Sequence, residues 1–278
     1  MTKPTNKIFS LVLAAVPGLA LLAVVAAPGT ASADPNATAT SDTPEPAPTT
    51  RDVKSEIPNT AYAYTAHGVS ARSVGVQAYG IGLGGRGQKA TLGGGGAVWG
   101  SPIDRLTLIG DGSRDVTGNF APSVAAVVRL LGTPNDGFTL GALGKFKVEG
   151  FGTGRGGETE SEIETGLLLS YAKYGWHMDL NAISGFGTGD DGEIDTEGRF
   201  RLNHEIGSMV RLGVDSQMRY RVAGDKKLPG NRNGDFAAGP QVIIGSSNFF
   251  GSVTTGAATM GITNQVGWTS ILSIGGST

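Results

Sequence analysis

Apolar and polar residues alternate with a period of two through three consecutive segments in the second half of the chain. The apolar positions are Trp176, Met178, Leu180, Ala182 and Phe186; Ile194, Thr196, Phe200 and Leu202; and Val210, Leu212, Val214, Met218, Tyr220 and Val222. The positions between them are mostly polar, and many carry a full charge. Because successive side chains of a β-strand point to opposite faces, the alternation predicts three strands, each with one apolar and one charged face.

Strand length and the position of the charges indicate which kind of sheet these strands form. Segments of about ten residues or more match the tilted path of a strand across a bilayer, with the apolar face toward lipid and the polar face toward the lumen. We predict an all-β fold, a transmembrane up-and-down antiparallel β-barrel of about twelve strands, within a range of about 10 to 14. A secreted soluble β-sandwich is the alternative, and it would need a further sheet over each apolar face.

The connections between the predicted strands differ in length in a regular way. Short turns are predicted at residues 100–102, 133–136, 174–175, 206–208 and 245–247, and longer loops at 84–89, 111–118, 152–158, 187–193 and 224–235. Short turns on one rim and long loops on the other are typical of membrane barrels. Aromatic residues predict two interfacial girdles, one beside the short turns and one beside the long loops. The girdle residues are Trp99, Phe138, Tyr171, Trp176 and Phe250 on the short-turn rim and Phe120, Phe151, Phe186, Tyr220 and Phe236 on the long-loop rim.

Charged residues constrain the register of two hairpins. A hairpin centred on Gly207 would place Arg199 opposite Asp215 and Asp195 opposite Arg219, which is favourable because opposite charges then face each other. The preceding hairpin closes at residues 174–175, which sets Lys173 beside Trp176. We predict both registers.

The N-terminal region has a different composition from the strands. Lys3 and Lys7 precede an apolar run at residues 8–27, and small residues follow at 31–33. This order is typical of a secretory signal peptide, which we predict at residues 1–33; an uncleaved inner-membrane anchor is the alternative. Residues 34–70 are rich in Pro, Thr and Ala and are predicted to be a disordered periplasmic linker. The barrel is then predicted at residues 71–278.

Composition excludes several kinds of site. The chain contains no cysteine, so disulfides and thiolate metal sites are excluded. The first 33 residues contain two of the 22 lysines and arginines and none of the 24 acidic residues, so the remaining chain is net acidic. This balance gives no reason to expect a nucleic-acid partner.

The region from residue 71 onward resembles Gram-negative bacterial outer-membrane β-barrel proteins, of the mid-sized kind that includes small porins. The resemblance is one of architecture, carried by the alternating strands, the loop asymmetry and the aromatic girdles. It implies signal-peptide-dependent export to the outer membrane, contact with outer-membrane lipid and folding by the barrel assembly machinery. Lipopolysaccharide is a candidate contact for loop 224–235, and a solvated loop is the alternative. The chain ends without the terminal aromatic residue of many such proteins, and it leaves the oligomeric state open.

The predicted lumen carries both signs of charge. Its charged wall is predicted from Lys145, Lys147, Glu149, Glu162, Glu164, His177, Asp179, Asp195, Glu197, Arg199, Arg201, Arg211, Asp215, Arg219 and Arg221. The remaining strands present mainly small or polar residues inward, such as Gln241 and Thr269. We predict a porin-like transport channel for small polar or charged solutes. The alternative is a closed structural or surface-interaction barrel whose lumen charges pair with one another.

No catalytic, cofactor-binding or metal-binding residue is predicted, although three patterns resemble such sites. Ser170, His177 and Asp179 would lie close together, as in an outer-membrane hydrolase, but no Gly-x-Ser-x-Gly elbow is present. Glycine-rich matches to the dinucleotide fingerprint, such as 82–87, do not open a helix. The acidic residues at 190–195 lack the ligand spacing of an EF-hand calcium site.

Overall fold

The computed structural model describes residues 63–67, 71–85, 90–114, 120–134, 136–149, 159–188, 193–223, 234–245, 248–259 and 266–278. Within these ranges the chain forms twelve strands. They are β1 (Val74–Gly84), β2 (Thr91–Ile103), β3 (Leu106–Arg114), β4 (Phe120–Leu131), β5 (Gly137–Glu149), β6 (Glu160–Lys173), β7 (Trp176–Gly187), β8 (Ile194–Glu205), β9 (Val210–Ala223), β10 (Gly234–Gly245), β11 (Phe249–Thr259) and β12 (Val266–Ser277).

The twelve strands form one closed antiparallel barrel in which each strand pairs with its neighbours along the chain. The first and last strands close the ring, with a continuous register from Gly75 opposite Ser277 to Gly84 opposite Trp268. The predicted up-and-down barrel is therefore confirmed, and the β-sandwich alternative is wrong because the sheet closes on itself. No helix among the described residues is long and apolar enough to cross a membrane.

Side chains alternate between the outer and inner surfaces of this barrel. In β9, for example, Leu212, Val214 and Met218 are exposed, whereas Asp215 between them is buried. The same alternation leaves large apolar side chains exposed on every strand except β8, such as Val76 on β1 and Leu272 on β12. The outer surface is therefore largely apolar, and the polar side chains are turned into the barrel.

The two registers predicted from charge have different outcomes. The β6–β7 hairpin closes at Tyr174 and Gly175, both with positive φ, and Lys173 lies opposite Trp176 as predicted. Positive φ at both central residues is the type I′ geometry that matches the twist of a hairpin.

The register predicted for β8 and β9 is wrong by two residues. Arg201 lies opposite Asp215, Glu197 opposite Arg219, and Asp195 opposite Arg221. The turn contains four residues, 206–209, and the Ile206 amide donates to the Val210 carbonyl at 2.8 Å. This register also sets Glu205 opposite Arg211, so it brings more opposite charges together than the Gly207-centred register does.

The first predicted short turn is also displaced. β2 continues through residues 100–102 to Ile103, and the chain turns at Asp104 and Arg105. The register shifts between Gly100 and Ile103, and the Ser101 hydroxyl donates to the carbonyls of Ile103 and Leu106, each at 2.8 Å. The irregular register lets the strand extend past the proline that suggested a turn.

Two of the predicted girdle residues lie inside the barrel. Trp99 and Phe250 are each 3% exposed, with ring centroids 6.5 Å apart, so their assignment to a girdle is wrong. Both rings lie over glycines of neighbouring strands, where a side chain would displace them. A Cβ at Gly275 would lie 2.7 Å from Phe250 Cζ, and a Cβ at Gly75 would overlap the Trp99 indole.

The other described girdle residues point outward. They are Phe138, Tyr171 and Trp176 beside the short turns and Phe120, Phe186, Tyr220 and Phe236 beside the long connections. Phe151 lies outside the described residues. Two bands of outward aromatic residues therefore remain at the ends of the strands.

We expect Gly75→Ala to destabilise the barrel by about 1–3 kcal/mol, because the added methyl group overlaps the buried Trp99 ring. Denaturant unfolding in lipid vesicles, followed by tryptophan fluorescence, measures this change. Gly80→Ala on the same strand is the matched control, because its Cβ meets nothing within 4 Å. Equal stability of the two variants would contradict the close packing of Trp99 on Gly75.

Candidate functional site

The lumen wall formed by β5 to β9 carries the charged residues. The structure turns the following predicted lumen residues inward, where they are buried or half-buried: Lys145, Lys147, Glu162, Glu164, His177, Asp179, Asp195, Glu197, Arg199, Arg201, Arg211, Asp215, Arg219 and Arg221. The side chain of Glu149 lies outside the described part of the chain. The period-two pattern places these residues on one face because adjacent inward positions are two residues apart.

These charges pair mainly within the wall. Lys147 lies 2.6 Å from Glu162 on the adjacent strand, and Arg201 Nε donates to Asp179 Oδ2 at 2.7 Å. Further pairs on the same or neighbouring strands join Lys145 with Glu164, Arg199 with Glu197, Arg211 and His177 with Glu205, Arg219 with Asp195, and Arg221 with Glu193 and Asp195. The wall is therefore electrostatically neutralised along its own surface.

One longer contact crosses two intervening strands. Arg219 on β9 lies 3.9 Å from Glu162 on β6. The path is open because Gly185 on β7 has no side chain, and a Cβ there would overlap the Glu162 carboxylate. The other lumen ion pairs named above join residues of the same strand or of adjacent strands or, for Glu193, the residue just before β8.

The opposite wall is uncharged over most of its surface, and hydrogen bonds connect it to the charged wall. Gln241 on β10 donates to Asp215 Oδ2 at 3.0 Å and to Thr254 Oγ1 at 2.9 Å. Its Oε1 accepts a hydrogen bond from Asn203 Nδ2 at 3.1 Å. Gln241 and Thr269 are buried inside the barrel. The predicted small, polar wall is present here, and Gln241 uses both ends of its carboxamide in hydrogen bonds.

An apolar cluster inside the barrel was not predicted from the sequence. It consists of inward residues from β2 to β7 and β11 together with two residues that precede the barrel: Ala97, Trp99, Ile109, Ala125, Val127, Leu143, Leu168, Ile183, Phe250, Tyr64 and Ala66. A signal for it exists, because Leu143 and Leu168 interrupt the inward series of charged residues on β5 and β6. An apolar residue at an inward position needs an apolar partner in the lumen.

Residues 63–67, which we call the lumen segment, lie inside the barrel. All five are buried, and Ala63 and Ala66 are 0% exposed. They fall within the predicted disordered linker, and for these five residues that prediction is wrong. The remainder of the predicted linker and the predicted signal peptide lie outside the described residues.

The barrel wall binds the backbone of the lumen segment. Asn181 Oδ1 accepts from the Tyr64 amide at 2.8 Å, and Asn181 Nδ2 donates to the Tyr64 carbonyl at 2.9 Å. The Ala66 amide donates to Ser170 Oγ at 2.7 Å, and Arg129 Nη1 donates to the His67 carbonyl at 2.9 Å. These bonds satisfy backbone groups that would otherwise be buried without partners.

Side chains of the lumen segment also contact the wall. His67 Nδ1 lies 2.9 Å from Thr139 Oγ1, and Thr65 Oγ1 lies 3.3 Å from Ser170 Oγ. The Arg199 guanidinium lies 5.2 Å from the centroid of the Tyr64 ring, within the range of a cation–π interaction.

The lumen segment runs across the strands. Its partners Asn181, Ser170, Thr139 and Arg129 lie on β7, β6, β5 and β4 in turn. The segment therefore crosses four neighbouring strands on the inner surface, near the end at which β6 and β7 are joined by their short turn.

The possible hydrolase triad of Ser170, His177 and Asp179 is divided between two separate interactions. Ser170 Oγ donates to Asp179 Oδ1 at 2.5 Å, as expected for residues paired across the β6–β7 hairpin. Asp179 also accepts from Arg201, and His177 Nε2 lies 3.1 Å from Glu205. Ser170 is thus part of the wall that binds the lumen segment.

The acidic residues at 190–195 are described only in part. Asp190 and Asp191 lie outside the described residues, and Glu193 and Asp195 both pair with Arg221. Within the described ranges, no group of three or more His, Asp or Glu side chains has the arrangement of a metal site. Loop 224–235 with its basic residues lies outside the described residues up to residue 233.

No family model matches the chain, and no curated protein matches its sequence. Its fold is similar to that of the NanC porin, with a TM-score of 0.57, 7% sequence identity, and coverage of 72% of this chain and 98% of that chain. It is also similar to an outer-membrane channel from Pseudomonas putida F1, with a TM-score of 0.51, 12% identity, and coverage of 80% and 100%. The expected architectural resemblance to porin-like outer-membrane barrels is confirmed at the level of the fold.

We expect Arg201→Met to destabilise the barrel by about 3–5 kcal/mol, because it leaves the carboxylate of Asp179 buried without its cation. Adding Asp179→Asn to this variant should recover part of the loss, because the amide is neutral and can still accept a hydrogen bond from Ser170. Equilibrium unfolding of both variants in lipid vesicles measures the difference.

Lys173→Met is the control for this comparison. It removes an ion pair with Asp136, 3.1 Å away, in which both side chains are exposed to solvent, and it should change stability little. A loss for Arg201→Met no larger than that for Lys173→Met would contradict a buried pair.

Proposed function

We propose that the protein is a porin-like channel of the outer membrane for small polar or charged solutes, and that its lumen segment obstructs the channel in the state described here. The observation that carries this proposal is the closed twelve-strand barrel with an apolar outside and a charged inside. That combination suits a lipid exterior and a hydrated interior. A barrel of about twelve strands is intermediate between barrels filled by side chains and wide aqueous channels.

The outer surface supports a membrane location. Exposed apolar side chains occur on all strands except β8, including Val98, Leu167, Val214 and Ile274. Outward aromatic residues at both ends of the strands suit the two interfacial regions of a bilayer. Contact with outer-membrane lipid, export by the signal peptide at residues 1–33 and folding by the barrel assembly machinery belong to the same proposal. Contact between loop 224–235 and lipopolysaccharide is a further part of it.

The lumen segment is attached in a way that permits its release. Its bonds to the wall are hydrogen bonds of neutral groups, one bond from Arg129 and the contact of Tyr64 with Arg199. Each hydrogen bond contributes about 0.5–1.5 kcal/mol net. The wall charges behind the segment are paired with one another, so its departure would leave no cation or carboxylate of those pairs without a partner.

A second candidate is a closed structural barrel that contributes only its loops or its rigidity. The apolar cluster that joins Tyr64 and Ala66 to Leu168 and Trp99 favours it, because such a cluster excludes water from that level of the lumen. In this case the lumen segment would be a permanent part of the core, and its removal would destabilise the protein without producing a pore.

We expect Ala66→Arg to increase single-channel conductance several-fold over the wild type in planar bilayers. Ala66 is fully buried, and a Cβ at Gly141 would already lie only 3.2 Å from its methyl group, so a long charged side chain should expel the segment. Ala71→Arg, the same exchange at an exposed position, is the matched control and should leave conductance unchanged. A folded Ala66→Arg barrel that gives no current steps would exclude the channel.

The double replacement Arg199→Ala and Arg219→Ala distinguishes obstruction by the segment from obstruction by the charges. Both arginines pair within the wall, so we expect a smaller increase in conductance than for Ala66→Arg. Planar-bilayer recording of both variants at equal salt makes the comparison. A larger increase for the arginine variant would mean that the wall charges, rather than residues 63–67, limit the pore.

A further inference from the structure

Of the six hydrogen bonds described above between the lumen wall and the lumen segment, four involve backbone atoms of the segment, and backbone atoms are common to all peptides. We propose that Arg129, Thr139, Ser170, Asn181 and Arg199 form a binding site for a short peptide, which we call the peptide site. The lumen segment is its resident occupant, and a free peptide of the same chemistry can take its place. The inference rests on the proposed function only in that a free peptide must be able to enter the lumen.

Asn181 provides the most specific part of the peptide site. Its carboxamide accepts from the amide of Tyr64 and donates to the carbonyl of the same residue, at 2.8 and 2.9 Å. This reciprocal pair reproduces the two bonds that a residue exchanges with its partner in an antiparallel sheet. The side chain of Asn181 is buried inside the barrel, so its orientation is restricted by the wall. Asn181 therefore recognises the backbone of an extended residue, and neither of its two bonds depends on that residue's side chain.

Two further groups continue the recognition along the peptide. Ser170 accepts from the amide of Ala66, two residues after Tyr64, and Arg129 donates to the carbonyl of the next residue, His67. Ser170 and Asn181 therefore bond alternate residues, and the chain bends at Ala66 and His67, so that the His67 carbonyl also faces the wall. A single amide group could satisfy Asn181 alone, but only a peptide of about four residues reaches all three.

The side-chain contacts restrict which peptides fit. The Arg199 guanidinium lies over the Tyr64 ring and favours an aromatic residue at this position. Two residues later, the close approach of Ala66 to Gly141 leaves room for a small side chain only. The ligand class is therefore a short peptide with an aromatic residue two positions before a small one, at which the chain bends.

The test uses the full-length Ala66→Arg variant, in which the resident segment is displaced and every residue of the peptide site is retained. The probe is a synthetic peptide with the sequence of residues 61–67, acetylated at its N-terminus and amidated at its C-terminus. We expect it to reduce the conductance of the variant in a concentration-dependent manner. Binding of a fluorescently labelled copy to the detergent-solubilised variant, followed by anisotropy, measures the same affinity without any current.

The matched control is the same peptide with N-methyl groups on the amides that correspond to Tyr64 and Ala66. It keeps every side chain but loses the donors to Asn181 and Ser170, and it should bind roughly tenfold or more weakly. Equal affinity of the two peptides would overturn recognition of the backbone. Asn181→Leu in the Ala66→Arg background should weaken the unmethylated peptide to a similar degree.

Circular dichroism and the heat-dependent shift in electrophoretic mobility establish that each variant forms a barrel. If Ala66→Arg does not fold, Tyr64→Gly is used in its place, because it removes the ring and leaves all twelve strands unchanged. A folded variant that shows no current steps would contradict the channel proposal. Binding of the labelled peptide, measured by anisotropy, would still test the peptide site in that case. Absence of peptide binding to a folded, conducting variant would overturn the peptide site and leave the channel proposal standing.

Discussion

The pairing of β1 with β12 is the constraint on which the remaining structure depends. A sheet with apolar side chains on its outer face and an open edge would expose backbone donors and acceptors that lipid cannot satisfy. Closure removes both edges, and it also encloses a space that the inward side chains must fill, line or leave to water. The charged wall lines part of that enclosed space, and the apolar cluster and residues 63–67 fill another part of it.

The sequence predicted the strands well because strand periodicity is a local property. The alternation from Trp176 to Val222 corresponds directly to the outer and inner faces of β7, β8 and β9. The register of β8 and β9 was predicted less well, because the turn at 206–209 is longer than the predicted turn at 206–208. Trp99 and Phe250 were assigned to the wrong side because their inward orientation depends on Gly75 and Gly275, which lie far away in the chain.

The lumen segment was beyond prediction from local pattern for a similar reason. Residues 63–67 contain small and polar side chains with no period that indicates burial, and they follow a Pro-rich and Thr-rich stretch. Their burial results from partners more than 100 positions away along the chain, Ser170 and Asn181. The wall beneath them therefore has a structural role and also recognises a specific stretch of backbone. The lumen is an occupied site and not an open channel in this state.

The attachment of the lumen segment to β1 has a consequence for how the occupied state is maintained. A short connection joins His67 to Val74, so the segment stays near the wall even when it is released, at an effective concentration on the order of millimolar. Weak contacts are then sufficient to keep the site filled. Lengthening or stiffening this tether would shift the balance between the filled and free states without changing any atom that touches the wall.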